Sequence, residues 1–218
     1  MGSDKYLRTP HLPFSPGGTN DDRRLKSVDH LLGKEIVITE KMDGSNLCFT
    51  SGGVFARSHS GPPRHPSFDA AKAAWAMLRP KIQDNESNFG EWCLACHSII
   101  YSALPGFFLF FGVRLDVTQE WLSWDEVIAR GQDLDVPTTP VLWRGSVKHE
   151  KELHKLVDTL AAQPSACGGV REGVVLRVVG RIATQEWEAS IAKWVRANHV
   201  QTDDHWTNMR IVRNKLRR

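Results

Sequence analysis

The sequence predicts an α+β chain built on mainly antiparallel sheets. Three observations carry that reading. Short strand-like stretches follow one another from Glu35, separated by tight-turn dipeptides. Helical periodicity occurs in isolated stretches, without the regular alternation with strands that a parallel βαβ sheet requires. The chain has 218 residues, 41% hydrophobic and 24% charged, enough for one sizeable core.

Residues 1–24 contain Pro10, Pro13 and Pro16 and end in Asp21-Asp22-Arg23-Arg24, as expected of an extended arm wrapped around a domain. Glu35 to Thr39 reads as the first strand, with apolar and polar residues alternating. Leu47 to Phe49 and Val54 to Arg57 follow, with Asp43-Gly44 and Gly52-Gly53 as the turns between them. The spacing of Phe68, Ala71, Trp75, Leu78 and Ile82 predicts a helix over 68–82, bent or ended by Pro80. A second helix starts near Ser123. Ser123 with Glu126 fits a capping box, Leu122 with Val127 fits a hydrophobic staple, and Gly131 fits the stop. A third is predicted over 146–162, with Leu153, Leu156, Val157 and Leu160 on one face. Phe107 to Leu115, Gly173 to Val179 and Ile191 to Val195 read as strands.

The polar, proline-rich N-terminus has no apolar h-region. The longest apolar run, Phe107 to Phe111, is far too short to span a bilayer, so no membrane partner is expected. Four cysteines (Cys48, Cys93, Cys96, Cys167) without a leader point to free thiols in a reducing compartment, hence a cytoplasmic protein. The formal net charge of +3 permits a nucleic acid partner without arguing for one.

The chemistry is concentrated in Glu40-Lys41-Met42-Asp43-Gly44-Ser45-Asn46, at the end of a predicted strand. A lysine amine is a nucleophile only when deprotonated, and a reference pKa of about 10.4 keeps an exposed lysine charged at neutral pH. Burial or nearby cations lower that value. A glycine just after the lysine would let a phosphate approach the backbone. Alone, Lys-x-Asp-Gly also fits an ordinary surface hairpin.

The string resembles motif I of the covalent nucleotidyltransferase superfamily, which comprises ATP-dependent DNA ligases, RNA ligases and mRNA capping enzymes. Further strings resemble the superfamily's other motifs in the same order. Val54-Phe55-Ala56-Arg57-Ser58 is similar to motif Ia, and Phe89-Gly90-Glu91-Trp92 to motif III. Phe110-Phe111-Gly112-Val113 is similar to motif IIIa, with Gly112 where an aspartate is common. Arg171 to Arg177 resembles motif IV, and Ala192-Lys193-Trp194-Val195-Arg196 resembles motif V. Asn46, Tyr6 to Pro16 and Lys193 to Trp206 resemble RNA ligases of the RNA ligase 2 type and its bacterial relatives.

The resemblance implies an α+β nucleotidyltransferase (ATP-grasp-like ligase) domain, with antiparallel sheets and flanking helices around a nucleotide cleft. It implies an ATP-dependent RNA ligase, active in RNA repair. Lys41 would take AMP from ATP, and the AMP would pass to a 5′-phosphate end that is then sealed to a 3′-hydroxyl. Lys193 would bind the α-phosphate, and with Arg196 would lower the pKa of Lys41. Glu172 would hold Mg²⁺ or Mn²⁺, Glu91 the ribose hydroxyls and Glu40 the adenine amino edge. Phe111 would stack on the base. Asn46 and Arg57 would contact ribose, phosphate or the incoming end. Arg196 is also a nucleotide contact in this reading, although Val195 stands where the second basic residue of motif V belongs. A one-residue step along a strand reverses the side-chain direction.

Two further strings compete. Cys93-Leu94-Ala95-Cys96-His97 has the form of a haem attachment site, but it directly follows Glu91 in a predicted buried strand, and neither haem nor zinc is expected. His149 and His154 stand five apart and so do not share a helix face, as metal-ligating histidines would. Arg210, Arg213, Lys215, Arg217 and Arg218 make a basic end, read either as a phosphate-binding tail or as a solvated terminus.

The chain is therefore read as a single domain over 1–218, with an N-terminal arm over 1–30, a basic tail over 207–218 that could form one docked helix at most, and no OB or separate C-terminal domain. RNA ends are the expected partner, with a helper protein supplying end binding. Lysine adenylation is expected to be efficient, and sealing weak and salt-sensitive. A capping-type guanylyltransferase using GTP, a DNA ligase and an end-binding module without turnover are the alternatives.

Overall fold

In a computed structural model of the chain, the described residues are 5–18, 22–57, 63, 65–197 and 211–217. Ser58, His199 to Trp206, Met209, Arg210 and Arg218, which the sequence reading used, lie outside them. The strands are β1 (Glu35–Lys41), β2 (Ser45–Thr50), β3 (Gly53–Ala56), β4 (Glu86–Trp92), β5 (Phe108–Leu115), β6 (Glu120–Trp121), β7 (Val141–Ser146), β8 (Gly173–Val178), β9 (Ile182–Ala183) and β10 (Ile191–Val195). The helices are α1 (Asp69–Leu78), α2 (Trp124–Leu134) and α3 (Glu150–Ala161). Four strands form one sheet in the order β10-β8-β1-β7, and six form another in the order β3-β2-β4-β5-β6-β9. Every pairing between these strands is antiparallel, as the α+β reading requires.

Each departure from the sequence reading has a packing cause. β1 does not alternate. Ile36 and Ile38 face one apolar cluster with Leu153 and Val157 of α3, and Val37 faces another with Leu47, Phe49 and Phe110, so both faces of the strand are buried. α1 stops at Leu78, and Pro80 lies in a 3-10 turn over Arg79–Lys81. Ser123 caps α2 with a complete capping box, but Gly131 does not stop the helix. The helix runs to Leu134 and ends on left-handed Asp135 (φ 55°). Gly131 instead lies in a tight spot of the packing, where a Cβ would be 3.1 Å from the Val136 carbonyl oxygen and 3.4 Å from the Phe110 ring. α3 begins at Glu150 rather than 146, because Val141–Ser146 pairs with β1 as an edge strand.

Both ends of the described chain are pinned by backbone hydrogen bonds. Lys193 N donates to Pro10 O (2.9 Å), Leu12 N to Lys193 O (2.8 Å) and Gly17 N to Val195 O (2.9 Å), so the arm lies beside β10. Residues 211–217 are extended rather than helical, and they bond to the Cys93–Leu104 loop. No helix among the described residues is long and apolar enough to cross a membrane.

Candidate active site

The turn from Met42 to Gly44 carries the chain from the four-stranded sheet to the six-stranded one, and a cleft opens between them at that crossing. Register sets which side chains meet there. β1 and β8 pair Lys41 with Gly173, which places Glu172 beside the lysine. Thr39 pairs with Val175, and Val175 with Lys193, so these three line one floor. On the other sheet Asn46 pairs with Glu91. Phe111 faces the cleft while its neighbour Phe110 is buried in the core, as strand alternation requires. The cavity is about 170 Å³, and Glu40, Lys41, Asn46, Arg57, Glu91, Phe111 and Lys193 all line it.

Lys41 Nζ donates to Glu172 Oε1 at 2.6 Å. The electrostatics correct the sequence expectation. Burial does press the Lys41 pKa down, but the carboxylates of Glu172, Glu91 and Asp43 outweigh it and the net shift is upward. The reason is topological. Lys41 shares its end of the sheet with Glu172, whereas Arg196 follows the last residue of β10 and is not in the cleft wall. The second basic position expected of motif V is Val195, which is buried.

Gly44 also has a role the sequence did not indicate. A Cβ there would lie 2.6 Å from the Trp92 carbonyl oxygen, so the glycine is required by the close passage of β4. Asp43 anchors the turn: its Oδ2 accepts from Ser98 N, Ser98 Oγ and Ile99 N, each at 2.8 Å, and its own N–H donates to Tyr101 Oη at 2.9 Å.

Glu40 is buried. Its Oε2 accepts from Ala166 N at 2.9 Å and lies 3.5 Å from Arg171 Nη2, while its Oε1 has no hydrogen-bond partner. A buried acceptor without a donor, in a cavity wall, suits an exocyclic amine. Burial pushes the Glu91 carboxyl up to about 8, with Glu172 and Asp43 adding to the rise and Lys41 opposing it. An acid with a raised folded-state pKa costs stability as pH climbs from its unfolded value to the folded one. Glu91→Gln is therefore expected to flatten the decline of melting temperature between about pH 5 and pH 8, readable from thermal melts across that range. An unchanged slope would place the titration elsewhere.

Cys93 packs with Met42, Tyr101 and Leu109, and burial raises its thiol pKa well above the ordinary value. Cys96 Sγ donates to Ile99 O, and His97 Nε2 lies 3.3 Å from Ser45 Oγ. The string thus braces the loop that holds Asp43. All four cysteines are free thiols. His154 stacks on Phe14 of the arm.

Sequence reasoning assigned no individual role to three arm residues in the wall: Tyr6, Leu7 and Thr9. Their only signal was the Tyr6 to Pro16 resemblance. The Tyr6 ring meets Phe111 edge-on at 5.1 Å and Trp121 at 5.4 Å. Gly112 faces the same rings: a Cβ there would lie 3.7 Å from the Trp121 ring and 4.0 Å from the Tyr6 ring, ordinary contact distances. Arg177 also lines the cleft, its Nη2 donating to Leu122 O at 2.7 Å.

A family model described as RNA ligase matches residues 34–195. A Naegleria gruberi RNA ligase structure with PPi is similar at TM-score 0.56 and 20% identity, over 78% of this chain and 51% of that one. A Naegleria gruberi RNA ligase variant with ATP and Mn is similar at TM-score 0.57 and 16% identity, over 88% and 60%. An archaeal ATP-dependent RNA ligase is similar at TM-score 0.55 and 17% identity, over 88% and 48%. The chain thus spans about half to three-fifths of the length of these structures. No curated protein matches the sequence.

Proposed function

The chain belongs to the RNA ligase family, and on that premise we propose that it is an ATP-dependent RNA ligase acting through a covalent lysyl-AMP intermediate on Lys41. The observation that carries this reading is the convergence, on one cleft, of a nucleophile held by a carboxylate (Lys41 and Glu172), a second lysine across the sheet (Lys193) and an aromatic wall (Phe111).

In the first step the neutral Lys41 amine attacks the α-phosphorus of ATP. An N–P bond forms, the bond to the bridging oxygen breaks, pyrophosphate leaves and the amine gives up a proton. Lys193, whose pKa is lowered by burial against the opposing effect of Asp22, meets the charge that builds on the α-phosphate. In the second step an oxygen of an RNA 5′-phosphate attacks the same phosphorus and releases Lys41, which regains its proton. In the third a 3′-hydroxyl attacks the 5′-phosphorus, loses its proton and expels AMP. Glu40 Oε1 accepts from the adenine amino group, Glu91 from the ribose hydroxyls, and Phe111 covers one face of the base. Asn46 and Arg57 reach the ribose, the phosphates or the incoming end.

Glu172 fits a divalent cation, Mg²⁺ or Mn²⁺: its Oε2 is buried with no hydrogen-bond partner, and a hard carboxylate oxygen suits such an ion. When bound there, the ion supplies positive charge that offsets Glu172 and favours the neutral form of Lys41. The catalytic unit in this reading is one nucleotidyltransferase domain working in the reducing cytoplasm, with a helper protein supplying grip on RNA ends.

The test is incubation with radiolabelled ATP or GTP and Mg²⁺, a denaturing gel, and a chase with 5′-phosphorylated RNA. Label from ATP but not GTP, chased onto RNA and released as AMP on sealing, is the expected result. Glu172→Ala and Lys193→Ala should each slow labelling about a hundred-fold, the loss of one strong transition-state contact. Absence of any adduct would favour an end-binding module, and labelling from GTP a capping-type enzyme.

A further inference from the structure

We propose that Asp22, backed by His11 and Ser15 of the N-terminal arm, is a positioning residue for nucleotidyl transfer: it holds the Lys193 ammonium as its resident counter-ion and yields it to the α-phosphate. The inference rests on the reading of Lys193 as the phosphate-binding lysine.

Asp22 Oδ1 accepts from Lys193 Nζ at 3.2 Å. The Lys193 backbone is bracketed by the arm, its N–H donating to Pro10 O and its carbonyl accepting from Leu12 N. Between these contacts sits His11, 1% exposed. Its protonation follows from its neighbours. Ser15 Oγ accepts from Val195 N at 3.0 Å and lies 2.8 Å from His11 Nδ1, a pairing in which the hydroxyl can donate to the ring. The ring Nε2 lies 3.5 Å from Asp22 Oδ2, a contact beyond hydrogen-bond geometry. Burial, with Lys193 adding to it, lowers the His11 pKa to about 4, so the ring is neutral and packs beside Asp22 without competing for its charge. Lys193 is thus held to the arm at three points, its side chain on Asp22 and its backbone on Pro10 and Leu12, with His11 packed between them.

A carboxylate beside a phosphate-binding cation has two opposed effects. It repels the incoming nucleotide, and it fixes the ammonium where the phosphate will sit. Removing the charge while keeping the shape therefore moves affinity and rate in opposite directions, which a loss of folding does not do.

The experiment uses the full chain with Asp22→Asn. ATP dissociation constants are measured by calorimetry in a Lys41→Met background, and single-turnover adenylation rates with Lys41 present. Asp22→Asn should bind ATP about five-fold more tightly, the upper end of what a partly exposed ion pair contributes, and adenylate about ten-fold more slowly. Asp22→Glu, which keeps the charge, should bind ATP as wild type does. With Lys193→Met also present, Asp22→Asn should shift the affinity less than about two-fold, because the partner it acts on is gone. Unchanged affinity and rate, or an equal shift with and without Lys193, would overturn the proposal while leaving the ligase reading intact. A wild-type chain that takes no AMP from ATP overturns both.

Discussion

Lys41→Ala is expected to abolish AMP transfer to the protein completely while leaving it folded. In the proposed mechanism the covalent step uses the amine at the end of β1, and the other lysine of the cleft, Lys193, is bound to Asp22 across the sheet. The folded state survives for an electrostatic reason. Removing one partner of a buried ion pair is costly when the other must stay charged. Glu172 need not: burial already raises its pKa, and Lys41 is the largest influence pulling it down. Without the lysine that pull is gone and its pKa rises further. The sign follows from linkage. A carboxyl whose folded-state pKa lies above its unfolded value loses stability as pH rises between the two, and the Lys41→Ala variant widens that window. Its melting temperature should therefore match wild type in mild acid and fall more steeply as pH rises. The decisive measurement is labelling with radioactive ATP at a pH where circular dichroism shows both proteins folded. Any stable AMP adduct on the Lys41→Ala variant would remove Lys41 from the mechanism.

The parts of this site that were legible in the sequence are those encoded locally. The strand ending at Lys41, the Asp43-Gly44 turn and the Ser123 capping box each depend on residues within a few positions of one another. Motif order added Glu91, Phe111 and Lys193, and the structure brings all three to the same cleft as Lys41. What sequence could not supply was register. The contact between Lys41 and Glu172 depends on β1 pairing with β8, across most of the chain, and with Glu91 and Asp43 it turns the lysine pKa upward against burial. β7 escaped detection because it is an edge strand, its side chains half-buried or exposed, so its pattern carries little apolar signal. Tyr6 in the cleft wall was hidden for a related reason: an arm without periodicity does not announce which of its residues point inward.

Deletion of residues 208–218 is expected to abolish adenylation as well as sealing, a different outcome from that of a loosely attached phosphate-binding tail. Residues 211–217 are built into the support of the Lys41 turn. Asn214 is 4% exposed; its Oδ1 accepts from Tyr101 N at 2.8 Å and its Nδ2 donates to Cys93 O at 2.9 Å. Backbone bonds from Asn214 N to Leu94 O, Lys215 N to Tyr101 O, Leu104 N to Lys215 O and Cys96 N to Val212 O complete the seam. The loop held in this way carries Ser98, Ile99 and Tyr101, the groups that bond Asp43. Each buried polar group left unpaired costs about 1–3 kcal/mol, so losing the seam would consume much of a typical stability of about 5–15 kcal/mol. Asn214→Ala alone should cost about 2–4 kcal/mol and slow adenylation, as the loop behind Asp43 slackens. The basic side chains are separable from this role. Arg213, Lys215 and Arg217 are exposed, with Asn214 pointing inward among them. Changing the three to serine should leave adenylation near wild type and reduce sealing only where they grip RNA phosphates, an effect that salt would mimic. Single-turnover adenylation and thermal melts of the deletion, Asn214→Ala and triple-serine variants check the argument. A deletion that melts with wild type and adenylates at its rate would show that the turn is held by the Cys93–Leu104 loop alone.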